Sequence, residues 1–189
     1  NLVAACYTYS VDLYCSNITR SSNGEFQSFY DTNVNAASLE TSGIDVDLSY
    51  NYELGGFGMP GAEGSNLGFR LNGTYVLEND YTPINGLPIL NECAGAFGRN
   101  CGAPDPEWRH SFRTTWSSGP LDVSVLWRYL GSVTDDDPST LYGAEELSAA
   151  NYFDVSGTWQ FENEGVTIGL GIDNVANSEP NERIASTQQ

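Results

Sequence analysis

Cations are scarce in this chain. Its 189 residues carry seven Lys and Arg against 25 Asp and Glu, a formal charge of −18. Nucleic acid is bound through a basic face, so it is excluded as a partner. The acidity fits loops exposed to water; the sharper alternative is capture of cations or cationic ligands. His110 is the only histidine, so a Cys/His metal site is poorly supplied. No apolar run approaches the roughly 18 residues of a membrane helix. That absence leaves a β-barrel open, because a barrel strand hides its lipid face in alternate positions. No basic-then-apolar start of the signal-peptide kind is present. The chain opens at Asn1 without Met, in the manner of an internal fragment or a processed product.

Cysteine is used sparingly and in pairs. Cys6 lies near Cys15, and Cys93 near Cys101. Neither pair has the spacing of a zinc site. Two local disulfides, each stapling a short loop, fit an oxidising compartment such as the periplasm or the cell surface.

What the chain has in quantity is alternation. Between Leu121 and Val133, Leu121, Val123, Val125, Trp127, Tyr129 and Val133 fall on one face. Asp122, Ser124, Arg128 and Ser132 fall on the other. Side chains reverse at each residue of a strand, so this is a sheet with one apolar and one polar face. The same pattern runs through Ile44 to Leu54, Leu67 to Glu78, Trp108 to Ser117, Phe153 to Phe161 and Val166 to Ile172. Strands of about ten residues suit a tilted crossing of a bilayer.

The connections alternate in length. Short turns are expected at Gly55–Ser65, Ser117–Pro120 and Glu162–Gly165, and long outer loops at 79–106 and 134–150. Short periplasmic turns and long outer loops are the habit of an outer-membrane barrel. Tyr50, Tyr52, Trp116, Trp159 and Phe161 stand beside the short turns, as an aromatic girdle would. The expected fold is all-β, an antiparallel up-and-down meander of about six spanning strands over 36–178. Residues 1–35 read as an extracellular loop excursion, and 179–189 as the start of another outer loop. A closed membrane barrel needs at least about eight strands, so more strands or more copies are expected.

Four stretches carry a resemblance: LETSGIDVDLSYNY, NECAGAFGRNCGAPDPEWRHSFRTTW, LDVSVLWRYLGSV and GIDNVANSEP. In this order and spacing, from about Ala5 to Pro180, the chain resembles the C-terminal barrel of TonB-dependent outer-membrane receptors. The resemblance implies a roughly 22-stranded transmembrane β-barrel with an N-terminal plug. It implies uptake of iron-siderophores, vitamin B12, haem or carbohydrates. The implied partners are outer-membrane lipid, the remainder of the barrel and plug, and TonB through an N-terminal part. The implied location is the bacterial outer membrane, with loops extracellular. The plug, the TonB box and the final aromatic-ended strand of that family have no counterpart here. An alternative remains: a released receptor fragment, extracellular, that self-assembles as a cross-β filament through unpaired strand edges.

No catalytic constellation or cofactor motif emerges, and the chain is not read as an enzyme. His110 falls on the apolar face as an interfacial histidine. Asp135, Asp136 and Asp137, with Glu145 and Glu146, read as a solvated acidic loop; the alternative is a loose calcium site. Tyr81, Phe97 and Tyr142 are loop aromatics, available either to contact a ligand or to pack the loops together. Asn72, in a chance glycosylation sequon, faces the lumen. Two strand pairings, Trp116 with Leu121 and Phe161 with Val166, predict a lumen charge row at similar height: Arg109, Arg128, Asp154, Asp173. Its expected role is register and solvation of the wall.

Overall fold

The structure is a computed structural model describing residues 6–30, 37–55, 64–83, 89–137, 144–161 and 165–179. The chain divides into two compact units, Asn1–Ser38 with Thr82–Leu90, and Leu39–Tyr81 with Asn91–Gln189.

The first unit holds a single helical turn, α1 (Asp12–Cys15), and a hairpin of β1 (Ile18–Arg20) and β2 (Phe26–Phe29). A unit this small has little apolar surface to bury, and a covalent staple compensates. The Cys6–Cys15 disulfide supplies it. Cys6 and Tyr14 are buried, with Val11, Ile18 and Ile89 against them. Arg20 braces the hairpin: its guanidinium lies 3.9 Å over the Phe26 ring and donates to the Gly24 carbonyl.

The second unit is built on long strands. They are β3 (Ser38–Glu53), β4 (Ser65–Thr82), β8 (Trp108–Ser118), β9 (Leu121–Leu130), β12 (Ala150–Phe161) and β13 (Val166–Ile172). They lie side by side in chain order, with the short β5 (Asn91–Glu92) beside β4. This is the up-and-down meander that the alternation predicts. Four short strands form a separate sheet between the long ones: β6 (Ala96–Gly98), β7 (Gly102–Asp105), β10 (Val133–Asp135) and β11 (Glu146–Leu147). The connections expected as plain loops at 79–106 and 134–150 therefore carry structure of their own.

One sequence expectation fails here, and an open one narrows. The run from Leu121 to Val133 is not one strand. It breaks after Leu130, and Val133 starts β10 in the smaller sheet, only 3% exposed. Phe97, a loop aromatic available either to contact a ligand or to pack the loops together, is 2% exposed. Phe97, Val133 and Leu147 form the core of the smaller sheet. Full burial of a side chain of this kind contributes about 1.5–3 kcal/mol, so Phe97 helps to hold the loop layer together.

The hairpin between β8 and β9 is also tighter than expected. It pairs Ser118 with Leu121 across Gly119 and Pro120, instead of Trp116 with Leu121. Gly119 has φ +54. A positive φ at the first of two turn residues matches the natural twist of the flanking strands. The Phe161–Val166 pairing is as expected.

The apolar face of the large sheet has no covering layer among the described residues. Leu170 is 80% exposed and Leu48 60%, with Ile44, Tyr50, Ile168 and Ile172 all more than half exposed. The buried apolar residues that cluster do so elsewhere, in the first unit and in the loop sheet. Soluble monomers rarely expose a contiguous apolar face, and one this continuous marks an interaction surface. No helix among the described residues is long and apolar enough to cross a membrane.

Gly73 shows how closely this face is packed in its own plane. It pairs with His110, and the Trp108 ring lies over it. A Cβ at position 73 would overlap that ring. Gly73→Val is expected to expel the indole and cost about 1–3 kcal/mol, despite valine's better strand propensity. A lowered unfolding midpoint together with a red-shifted tryptophan emission would show it. An unchanged midpoint would mean that Trp108 is not held where it is described.

Candidate functional site

The polar face of the large sheet is a wall of hydroxyls, amides and charges. On β3 and β4, Thr74 donates to Asp45 at 2.8 Å and Asn72 to Asp47 at 2.8 Å. Asn72 thus lies on the polar face, with its amide nitrogen engaged. Two hollows open on this face, of about 540 Å³ beside Asp45, Thr74, Arg109 and Arg128, and about 300 Å³ beside Arg70 and Arg113.

The predicted charge row is only partly assembled. Arg128 meets Asp154 in a two-pronged ion pair, Nε to Oδ2 at 2.9 Å and Nη2 to Oδ1 at 3.0 Å. The two are diagonal, not level: Arg128 stands opposite Tyr152, and Asp154 opposite Leu126. The guanidinium also lies over the Tyr152 ring, 5.4 Å from its centre. Asp154 Oδ1 accepts the Asn174 N–H at 2.8 Å, which ties the chain after β13 to the β9–β12 pair. Asp173 follows directly on β13, beyond the last pairing of Val155 with Ile172. Arg109 is not opposite Arg128. The tighter hairpin moves the register by two residues, so Arg109 faces Leu130 and Arg128 faces Ser111. The predicted repulsion between the two arginines is thereby avoided. Arg109 instead pairs with Asp105 at 3.8 Å, a long and exposed contact of the kind that contributes little.

Among the described residues, carboxylates of the acidic loop are turned to the backbone. Asp136 turns its carboxylate to three successive backbone donors, the N–H groups of Arg99 at 3.2 Å, Asn100 at 2.7 Å and Cys101 at 2.5 Å. Asp135 accepts the N–H of Asp137 at 2.8 Å. No three of His, Cys, Asp or Glu gather about one point. Carboxylates already filled by amide donors have little left for a metal. The Cys93–Cys101 disulfide closes the same loop. Tyr81 pairs with Asn91 at the β4–β5 step and is half-buried. Tyr142 lies outside the described residues.

The opposite face carries two rows of aromatics. At the short-turn end are Tyr52, Trp116, Trp159 and Phe161, with Trp159 and Phe161 in ring contact; Tyr50, expected with them, stacks instead on Phe69, level with Thr114 and Val125. At the loop end Trp108, His110, Trp127, Tyr129 and Phe153 form a continuous cluster. The alternation alone pointed to the first row. The second was missed because its members sit on separate strands and come level only through register. Its two indole N–H groups are satisfied: Trp108 Nε1 donates to His110 Nδ1 at 2.9 Å, and Trp127 Nε1 to Asn151 Oδ1 at 2.9 Å. Level with one another between the two rows lie Phe69, Val125, Val155 and Ile172. Tyr129 and Leu121 are eight residues apart, about 26 Å along a strand or roughly 20 Å along the normal at a tilt of about 40°. That is close to the ~25 Å apolar band of a membrane barrel, flanked as usual by aromatic girdles.

A family model described as TonB-dependent receptor-like, β-barrel, matches residues 8–175. The chain belongs to that family. No curated protein and no solved structure matches it. Membership of the TonB-dependent receptor barrels implies a bacterial outer membrane, a transport receptor instead of an enzyme class, and TonB as a partner in general terms. In such a barrel the aromatic-bounded face meets lipid and the polar wall lines the lumen.

Proposed function

We propose that this chain forms barrel wall and outer loops of a TonB-dependent receptor for active uptake of a siderophore, a vitamin or a carbohydrate. The observation that carries the reading is the division of solvent between the two faces of one sheet. Six long strands put an uncovered apolar band with aromatic clusters toward both ends on one side, and charged and hydroxylic groups on the other. A hydrocarbon solvent outside and a watery passage inside account for both. The outer edges of β3 and β13 carry no partner strand among the described residues. Further strands of the same receptor pair there, because open edges are not tolerated in lipid. The disulfide-stapled loop layer over the outer end shapes the mouth.

The test is uptake in cells. Deleting the receptor, or TonB, should each abolish accumulation of one of three solutes: a ferric siderophore, cobalamin or a maltodextrin. The protein should fractionate with the outer membrane. Uptake of all three unchanged in both strains would overturn the transport reading. Fibres with a repeat of about 4.8 Å between identical chains would replace it with the filament.

A further inference from the structure

The chain's seven cationic residues are all arginines, and four of them stand on the lumen wall of three adjacent strands. Two have a carboxylate within ion-pair distance, Arg128 with Asp154 closely and Arg109 with Asp105 at the longer 3.8 Å. The other two face each other. Arg70 and Arg113 are direct cross-strand partners on β4 and β8, which sets their Cβ atoms about 4.5–5.5 Å apart. Like charges so placed repel. Neither joins an ion pair among the described residues. Asp47, level with the next lumen position of β4, is engaged by Asn72.

Arg113 is nevertheless held in place. Its Nη1 donates to Ser124 Oγ at 3.0 Å, and Ser124 is hydrogen-bonded to Ser156 at 2.9 Å across the next strand. Beside the pair the wall recedes. Gly68 faces the lumen opposite Thr115 and has no side chain to fill the space. The hollow of about 300 Å³ opens there, with Asn51, Asn66 and Ser117 around it. Among its described lining residues there is no carboxylate, in a chain of net charge −18. Two guanidinium forks, nearby hydroxyl and amide donors, room for a group of several atoms and no acid in the lining are the chemistry that recognises an oxyanion; Asp154, level with Arg113 one strand beyond Leu126, is itself held by Arg128.

We propose that Arg70 and Arg113 form an oxyanion subsite on the lumen wall, taking a carboxylate or phosphate group of the transported solute. The inference rests on this face being the lumen of an uptake receptor and adds the class of ligand. The bound anion offsets the repulsion between the two arginines, so the wall is completed by its cargo.

The test is direct binding to the receptor folded in detergent micelles, which reads the site whether or not transport occurs. Inorganic phosphate and citrate are the probes, followed by calorimetry and by the shift in unfolding midpoint. At least one should bind and raise the midpoint. Arg113→Gln should weaken that binding by about 10- to 100-fold, the usual loss for charge-assisted contacts, and Arg70→Gln by a similar factor. Arg99→Gln removes the same charge from the loop layer and should leave binding unchanged. Gly68→Val keeps both arginines and favours the strand, yet should block the hollow and abolish binding. Failure of both probes to bind would overturn the proposal. So would equal binding by the wild type and the Arg70→Gln, Arg113→Gln double variant. Capture of an acidic peptide alone, with neither small anion bound, would overturn the assignment to a solute.

Discussion

Val125→Arg is expected to destabilise the protein folded in a bilayer by about 2–4 kcal/mol, the depth-dependent cost of a cation at the midplane of a barrel's lipid face. Val125 is the position where that cost peaks. It stands four residues from Tyr129 and four from Leu121, midway between the aromatic rows, with Thr114 and Val155 as its cross-strand partners. Leu121→Arg, on the same face at the short-turn end, should cost only about 0–1 kcal/mol, because the arginine there reaches the headgroups. Thr158→Arg, on the polar face opposite Asp122, should be neutral or slightly stabilising through a new cross-strand pair. The measurement is equilibrium unfolding in urea from lipid vesicles, comparing the three variants. The gradient along β9 is the discriminating result. A protein layer over this face would penalise both β9 variants according to local packing, and water would penalise neither. Equal costs at 125 and 121, or a cost at 158 above that at 125, would remove the lipid from the account.

The face on which each residue lies was legible in the sequence; its partner across the strand was not. Alternation has a period of two, so a register error of two residues leaves every side chain on its expected side. This is what happened between β8 and β9. Ser117–Pro120 reads naturally as a four-residue turn, whereas Gly119 at φ +54 allows two residues to suffice. His110, Trp127 and Arg128 therefore lie on their expected faces, while Arg109 lost its predicted neighbour. Partners depend on register, and the Arg70–Arg113 pair and the Arg113–Ser124–Ser156 chain follow only once three ladders are aligned. Between β12 and β13 no such ambiguity arose, and Asp154 reached Arg128 across one diagonal step.

The loop layer was the least legible part, and the reason is again physical. A strand of two or three residues has no period to detect. β6, β10 and β11 exist because Phe97, Val133 and Leu147 bury one another, and those residues are far apart in sequence. Val133 even continued the alternation of the strand before it. Only the pause at Gly131 and Ser132 marked the break. Gly131 is packed against the Trp108 carbonyl, where a Cβ would sit 3.0 Å from that oxygen.

Asp136→Ala should loosen this layer without touching the membrane strands. One carboxylate accepts three consecutive N–H groups of the stapled loop. Hydrogen bonds to a charged acceptor are worth about 1.5–3 kcal/mol each. Arg99 and Asn100 are exposed, so water recovers part of the loss, and the net local cost comes to about 2–3 kcal/mol. Amide hydrogen exchange at Arg99, Asn100 and Cys101 should accelerate by roughly 30- to 150-fold. Exchange in β9 and β12 should not change. Gly98→Ala should act in the same direction, since Gly98 has φ +147 and a Cβ there would overlap the Asp136 carboxylate. Asp135→Ala, which loses a single amide donor, should do less, which separates a specific clamp from a generally acidic loop. Equal effects at Asp135 and Asp136 would defeat the clamp. Added calcium that protected these same amides in the wild type would defeat it in another way, because the carboxylate would then be serving a metal and not the backbone.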